Sequence, residues 1–210
     1  NPKATLQDFL DSADEIDNSI ELLEGATTEE EYEQVKANHL IYFLDGTYRD
    51  NQRANERYES GKQLIVLDLD DANYEREEIE DKLEEQGLFG LVYPTARYYY
   101  DGSKRWRLIM MADKAMTKDT YKSTVEGVVQ MLDLDEGADE ASSKIAQLMG
   151  YPFRKSDVSI VIGTKVNVNQ FAKKTDNKKI LQFTPSATIA TSSKSLMDFN
   201  HDQARLLKEA

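Results

Sequence analysis

Apolar residues recur along the first stretch of the chain at helical spacing. Leu6, Phe9, Leu10, Ala13, Ile16 and Ile20 mark one face, interrupted by Asp17, and Leu23 extends it to a stop at Gly25. This predicts an amphipathic helix over 5–24. Thr28 followed by Glu31 is a capping box, which predicts a second helix to about Lys36. From Gln63 the rhythm changes. Gln63–Leu69 (QLIVLDL) reads as a buried strand, and Tyr74–Gln86 as a charged helix with Ile79 and Leu83 on one face, ended by Gly87. Leu88–Pro94 reads as a second strand. Tyr98–Tyr100 and Arg105–Met111 read as two more, joined through Asp101-Gly102, a hairpin-turn signal. Helices are predicted over Thr117–Leu134 and Glu140–Met149, the latter stopping at Gly150 before Pro152. Val158–Val168 is β-rich, 172–179 is a basic loop, 186–195 is Ser/Thr-rich, and Ser195–Glu209 predicts a last helix. Strands alternate with helices around a hairpin, so the expected class is α+β, or α/β with a mixed sheet.

The 210 residues allow about one domain and one substantial core. With 40% hydrophobic and 31% charged residues, the composition excludes wholesale disorder and fibre. No apolar run approaches the roughly 20 residues of a membrane-spanning helix. Residues 1–15 lack the basic start and apolar stretch of a signal peptide, which favours a cytoplasmic setting. A start at Asn1 rather than Met suggests a fragment of a longer chain. Cysteine is absent, which removes disulfides, thiolate metal sites and thiol nucleophiles, and two histidines, His39 and His201, cannot build a three-histidine site. Net charge is −13, which argues against a generic nucleic-acid coat. Its distribution changes that picture. Residues 1–37 carry 2 basic and 11 acidic groups, and 68–86 carry 2 and 10, whereas 94–125 carry 7 and 3, and 144–181 carry 8 and 2. A basic groove on an acidic body fits this alternation. The acidic front end itself reads first as a solvated helical face or a partner-docking arm.

The sharpest chemical feature is Leu67-Asp68-Leu69-Asp70-Asp71, where an apolar strand runs into an acidic triplet. Asp68 and Asp70 are two apart, so a strand puts both carboxylates on one face. Two like charges there are costly unless a cation neutralises them, and Mg²⁺ or Mn²⁺ prefers such oxygen ligands. The plainer alternative is a solvated turn in which Asp71 caps the next helix. Downstream, Arg105 and Arg107 share a strand face, with Trp106 on the other. Arginines beside a metal can hold a triphosphate or a DNA phosphate in bidentate fashion. Asp139, ahead of the helix leading to Gly150, is the third carboxylate candidate. Tyr98, Tyr99 and Tyr100 can stack on bases or pack in the sheet.

Taken in order, Asp68-x-Asp70, Tyr93-Pro94-Thr95, Lys104-Arg105-Trp106-Arg107-Leu108-Ile109, then Asp139 before Leu148-Met149-Gly150-Tyr151-Pro152, the chain resembles the archaeo-eukaryotic primase superfamily, most closely the primase-polymerase-like domains of plasmid and phage replication proteins. The likeness covers about residues 40–165. It implies a primase-like core of RRM-like strands with helices over 38–185, preceded by an acidic helical segment (1–37) and followed by a linker and helix (186–210). It implies two-metal synthesis of a primer on a DNA template from NTPs or dNTPs, with Mg²⁺ or Mn²⁺ held by Asp68, Asp70 and Asp139 (Asp135 as rival). By strand position Arg107 stands where the family usually has a phosphate-contacting His. Arg107 is thereby a catalytic candidate, and Lys104, Arg105 and Arg107 are nucleotide-binding candidates. DNA-binding candidates are Arg97, Lys173 and Lys174, with Lys178 and Lys179 along the same path. Gln147 replaces an Arg that relatives carry before the proline. A replicative helicase or another replication protein is the expected partner. The rival reading is a catalytically inactive primase-like module that binds DNA or a replication partner. A phosphatase of the haloacid-dehalogenase type also opens on D-x-D, but Ala72 stands where its Thr or Val belongs, and no P-loop signature occurs.

Overall fold

The computed structural model describes residues 6–16, 19–70 and 74–171. In chain order its elements are α1 (Leu6–Ile16), α2 (Ser19–Gly25), α3 (Glu29–His39), β1 (Tyr42–Phe43), β2 (Thr47–Tyr48), β3 (Tyr58–Ser60), β4 (Lys62–Leu69), α4 (Arg76–Glu85), β5 (Gly90–Pro94), α5 (Ala96–Asp101), β6 (Trp106–Met116), α6 (Lys118–Met131), β7 (Met149–Gly150) and β8 (Ser159–Val161). The main sheet runs β4-β6-β5-β8, every pair antiparallel. Two short ladders, β1 with β7 and β2 with β3, flank it. The fold is α+β, as the alternation of elements predicts. No helix among the described residues is long and apolar enough to cross a membrane.

The continuous apolar run of β4 follows from burial on both faces. On one face Ile65, Leu67, Leu69, Leu108 and Met110 pack against Ile79 and Leu83 of α4 and Tyr121, Val125 and Val128 of α6. On the other, Leu64, Val66, Tyr93, Ile109 and Met111 meet Leu6, Phe9 and Leu10 of α1, with Phe43 and Met149 closing the layer. The first helix of the segment expected ahead of the domain therefore contributes to the sheet's second core layer. A third cluster joins Ile16, Ile20, Leu23 and Tyr32 to Phe153. Asp45 anchors the start of β4 by accepting the N–H groups of Gln63 and Leu64, both at 2.6 Å.

Two expectations need correction. Tyr98–Tyr100 is helix, not strand: α5 spans Ala96–Asp101, and Gly102, at φ 75°, is its left-handed cap. The Asp-Gly pair ends a helix here instead of turning a hairpin, because Gly serves both geometries. What overrides the tyrosines' strand preference is packing. Tyr100 stacks on Tyr32 with centroids 4.6 Å apart, and Tyr99 packs on Phe153 at 4.9 Å. The helix expected over Glu140–Met149 is one 3₁₀ turn, Glu140–Ser143, followed by β7; two adjacent serines favour a turn over helix extension. Of the helix expected over 5–24, the described residues form α1 and α2. The basic loop 172–179, the Ser/Thr-rich stretch and the last helix lie outside the described residues.

Candidate functional site

Sheet register assembles the site. Asp68 of β4 and Tyr93 of β5 both pair with Arg107 of β6. Opposed residues in antiparallel strands point to the same face, so the three side chains form one row. Arg107 Nε donates to Asp68 Oδ1 at 2.7 Å, and Arg107 Nη1 donates to the Gly150 carbonyl at 2.8 Å. That carbonyl also accepts from the Tyr93 hydroxyl at 2.9 Å. One pleat further on, Arg105 Nη1 lies 3.2 Å from Asp70 Oδ2. Asp68 on β4 faces Arg107 on β6, and Asp70, one residue beyond β4, faces Arg105, one residue before β6, so the pairs stack as two rungs. The inner pair is the more buried: the Arg107 and Asp68 side chains are 12% and 15% exposed, against 22% and 36% for Arg105 and Asp70. Burial opposes the charge on Arg107, but Asp68 and Tyr93 outweigh it and hold its proton above the ordinary arginine value. Burial also pushes the Tyr93 hydroxyl up.

These rungs form one wall of a cleft of about 170 Å³. Tyr32 and Lys36 of α3, Tyr42 of β1 and Arg97 of α5 are also part of its lining. Arg97 is bidentate with Glu29, at 2.6 and 2.7 Å, while its guanidinium carbon lies 4.4 Å from the Tyr32 ring centre. The Glu29 bonds raise its proton affinity above the arginine norm. Lys36 pairs with Glu33 at 2.8 Å. The lining thus carries Lys36, Arg97, Arg105 and Arg107 with Asp68 and Asp70, a cluster of ion pairs in a chain of net charge −13.

The structure brings Asp68, Asp70, Arg97, Arg105 and Arg107 together. Asp139 stands beside them by backbone only. Its N–H donates to the Asp68 carbonyl at 2.8 Å, while its Oδ1 accepts from Ala141 N–H at 2.9 Å and caps the 3₁₀ turn. Lys104 faces Glu75 in an exposed ion pair, away from the cleft lining. Asp135 is exposed on the surface. Lys173, Lys174, Lys178, Lys179 and the Asp71 cap lie outside the described residues. Among the described residues no group of three or more His, Asp or Glu side chains converges as a metal-binding set. The donor chemistry still fits a hard cation. Mg²⁺ is commonly held by one or two carboxylates, with substrate phosphates supplying further oxygens. Asp68 and Asp70 are such a pair, and the arginines suit the phosphates.

Lys36 and Tyr42 escape the sequence reading, because neither carries a local signal and both reach the cleft through tertiary packing. Gly150 lies close under the Arg107 guanidinium. A Cβ there would stand 3.1 Å from Arg107 Nη1.

The chain is similar to the AEP domain of the cyanophage S-2L primase-polymerase (PrimPol), at 13% identity and a TM-score of 0.42 over 69% of this chain and 75% of that one. No curated protein matches it. The resemblance to phage and plasmid replication domains, read from the motifs, meets a sequence-family match: the VapE N-terminal domain family covers residues 17–182, most of the chain, and the chain belongs to that family.

Proposed function

We propose that this domain is a DNA primase-polymerase-like nucleotidyltransferase of a mobile-element replication protein, building a primer on a DNA template. The observation that carries it is the double rung of Asp68–Arg107 and Asp70–Arg105 opening into a cleft that Arg97 and Lys36 also line. Arg105 and Arg107 bind the triphosphate of the incoming NTP or dNTP and neutralise charge that builds as pyrophosphate leaves. Asp68 and Asp70 hold the divalent cations, with Asp139 nearest by backbone to complete the set. Bound Mg²⁺ or Mn²⁺ supplies activation of the primer hydroxyl and stabilisation of the leaving oxygen. Arg97 and the lysines at 173 and 174 guide the template, and a helicase partner fits the same role.

A second reading draws on one observation. Both strand carboxylates are engaged by arginines, and Asp139 serves as a cap. That arrangement also suits an inactive module that binds DNA or a replication partner. Template-directed incorporation of labelled NTPs and dNTPs with Mn²⁺ or Mg²⁺, beside an Asp68→Ala/Asp70→Ala control, decides. Product in the native chain and none in the control supports the enzyme. No product from folded protein under any metal or template refutes it and favours the binding module. Arg107→Gln separates the two again: it abolishes incorporation by an enzyme and only modestly weakens an inert DNA binder.

A further inference from the structure

Every cation lining the cleft has a carboxylate partner: Lys36 with Glu33, Arg97 with Glu29, Arg105 with Asp70 and Arg107 with Asp68. A lone anion must break an ion pair to enter. A lone cation faces the converse obstacle, because Asp68 and Asp70 already hold positive charge.

We propose that Arg105 and Arg107 are built-in competitors for the cation, so that the cleft takes a metal and a polyphosphate together and resists either alone. This rests on the nucleotide-binding reading above. Consider a cation arriving by itself at Asp68 and Asp70. It displaces two guanidiniums and leaves Arg107 without its carboxylate in a wall where its side chain is 12% exposed. An uncompensated charge at that depth is strongly unfavourable. A free polyphosphate arriving at the arginines strands two carboxylates next to its own negative charge, with the same result. A metal–polyphosphate complex satisfies both columns at once. The cation goes to β4 and the phosphates go to β6, one strand spacing away, about 4.8 Å. Four charges exchange partners and none is orphaned. The site is therefore selective for the complex through charge pairing, and its own arginines set the threshold. The coupling is reciprocal, since whatever tightens one component tightens the other by the same factor.

The variants that expose this are Arg105→Gln and Asp70→Asn, which alter the less buried rung. In Arg105→Gln, Asp70 loses the guanidinium that competes for it. Mn²⁺ alone, titrated by the loss of its free-ion EPR signal, then binds more tightly than to the native chain, by roughly 5- to 150-fold, the usual range of such couplings. The Mn²⁺–tripolyphosphate complex binds more weakly to the same variant. In Asp70→Asn the signs invert. Tripolyphosphate with EDTA, followed by calorimetry, binds more tightly than to the native chain, and the Mn²⁺ complex binds more weakly. Circular dichroism confirms that each variant is folded; should one fail, the other carries the test alone. Unchanged or weaker Mn²⁺ affinity in Arg105→Gln, or unchanged or weaker metal-free tripolyphosphate affinity in Asp70→Asn, overturns the competition. So does a native chain that binds metal-free tripolyphosphate as tightly as the complex. A native chain that binds no Mn²⁺–tripolyphosphate at all has a different meaning: the nucleotide-binding reading itself fails, and the competition falls with it.

Discussion

Cutting the inner rung is the most direct probe of how this site is held together. In Arg107→Met the stem length is kept and the charge removed. Asp68, whose side chain is 15% exposed, is then left without its cation. Breaking a buried pair from one side costs about 3–5 kcal/mol. The lower end applies here, because Asp68 keeps some solvent and the Gly150 carbonyl still accepts from Tyr93 after Arg107 is gone. Asp68→Asn retains an acceptor for Arg107 Nε and loses only the charge, so about 2 kcal/mol is expected. If the two costs were independent, the double variant would lose about 5 kcal/mol. Coupled through one contact, it loses about 3 kcal/mol, an interaction of about 2 kcal/mol. Urea unfolding followed by circular dichroism reads each cost from the midpoint at constant slope. Single costs that add in the double variant to within about 0.5 kcal/mol would falsify the coupling. A second check is salt. Screening acts weakly on a buried pair, so the interaction energy should survive in about 1 M salt.

Gly127 sits on α6 against Phe171, and an added Cβ would stand 2.1 Å from that ring's Cδ1. Gly127→Ala is therefore expected to lower the melting temperature, its overpacking cost of about 1–3 kcal/mol exceeding the helix-propensity gain of about 1 kcal/mol; a rise in the melt would refute the packing. Thr28 caps α3 by accepting the Glu31 N–H at 3.2 Å, so Thr28→Ala should cost about 1 kcal/mol in urea unfolding. Burial pushes the hydroxyls of Tyr32 and Tyr48 up to about 12 from the usual 10. Because the folded values lie above the unfolded ones, their stabilisation is whole below pH 10 and is lost as pH climbs toward 12. Phenolate absorbance should thus show a delayed group of tyrosines that ionises only on unfolding. Titration of all 11 together near pH 10 would exclude it.

Much of the site is legible in the sequence because β-strand periodicity is local. Asp68-x-Asp70 and Arg105-x-Arg107 each fix a shared face without knowledge of the fold. The capping box at Thr28 and the Gly87 stop read correctly for the same reason: their hydrogen bonds span a few residues. What is not legible is that the two pairs face each other. The order β4-β6-β5-β8 inserts β6 between β4 and β5, so the partner of Asp68 lies 39 residues away across a non-sequential neighbour. The tyrosine run fails in the opposite direction. Its local preference is for strand, yet Tyr32 of α3 and Phe153 offer rings that only a helix at 96–101 can meet. Asp139 divides along the same line. Its proximity to Asp68 comes from a backbone bridge between Leu69 and Ala138, which no spacing announces.

The acidic front end has a physical role beyond solubility. α3 faces the cleft with Tyr32 and Lys36, and its Glu29 holds Arg97 while Glu33 holds Lys36. Part of the negative charge of residues 1–37 thus lies against the cations of the cleft, which tempers their pull on a bare anion. Glu29→Gln tests this without disturbing the core, because Glu29 is an exposed side chain and exposed ion pairs add little to stability. The melt should hardly move. Arg97 stays seated over Tyr32 but loses its neutralising partner, so metal-free tripolyphosphate should bind more tightly, and the gain should shrink as salt is raised. The Mn²⁺ affinity of the native and Glu29→Gln chains should be the same, since Arg97 pairs with neither Asp68 nor Asp70. A change in Mn²⁺ affinity with no change in anion affinity would place Glu29 among the metal's ligands instead, and α3 would then belong to the other half of the site.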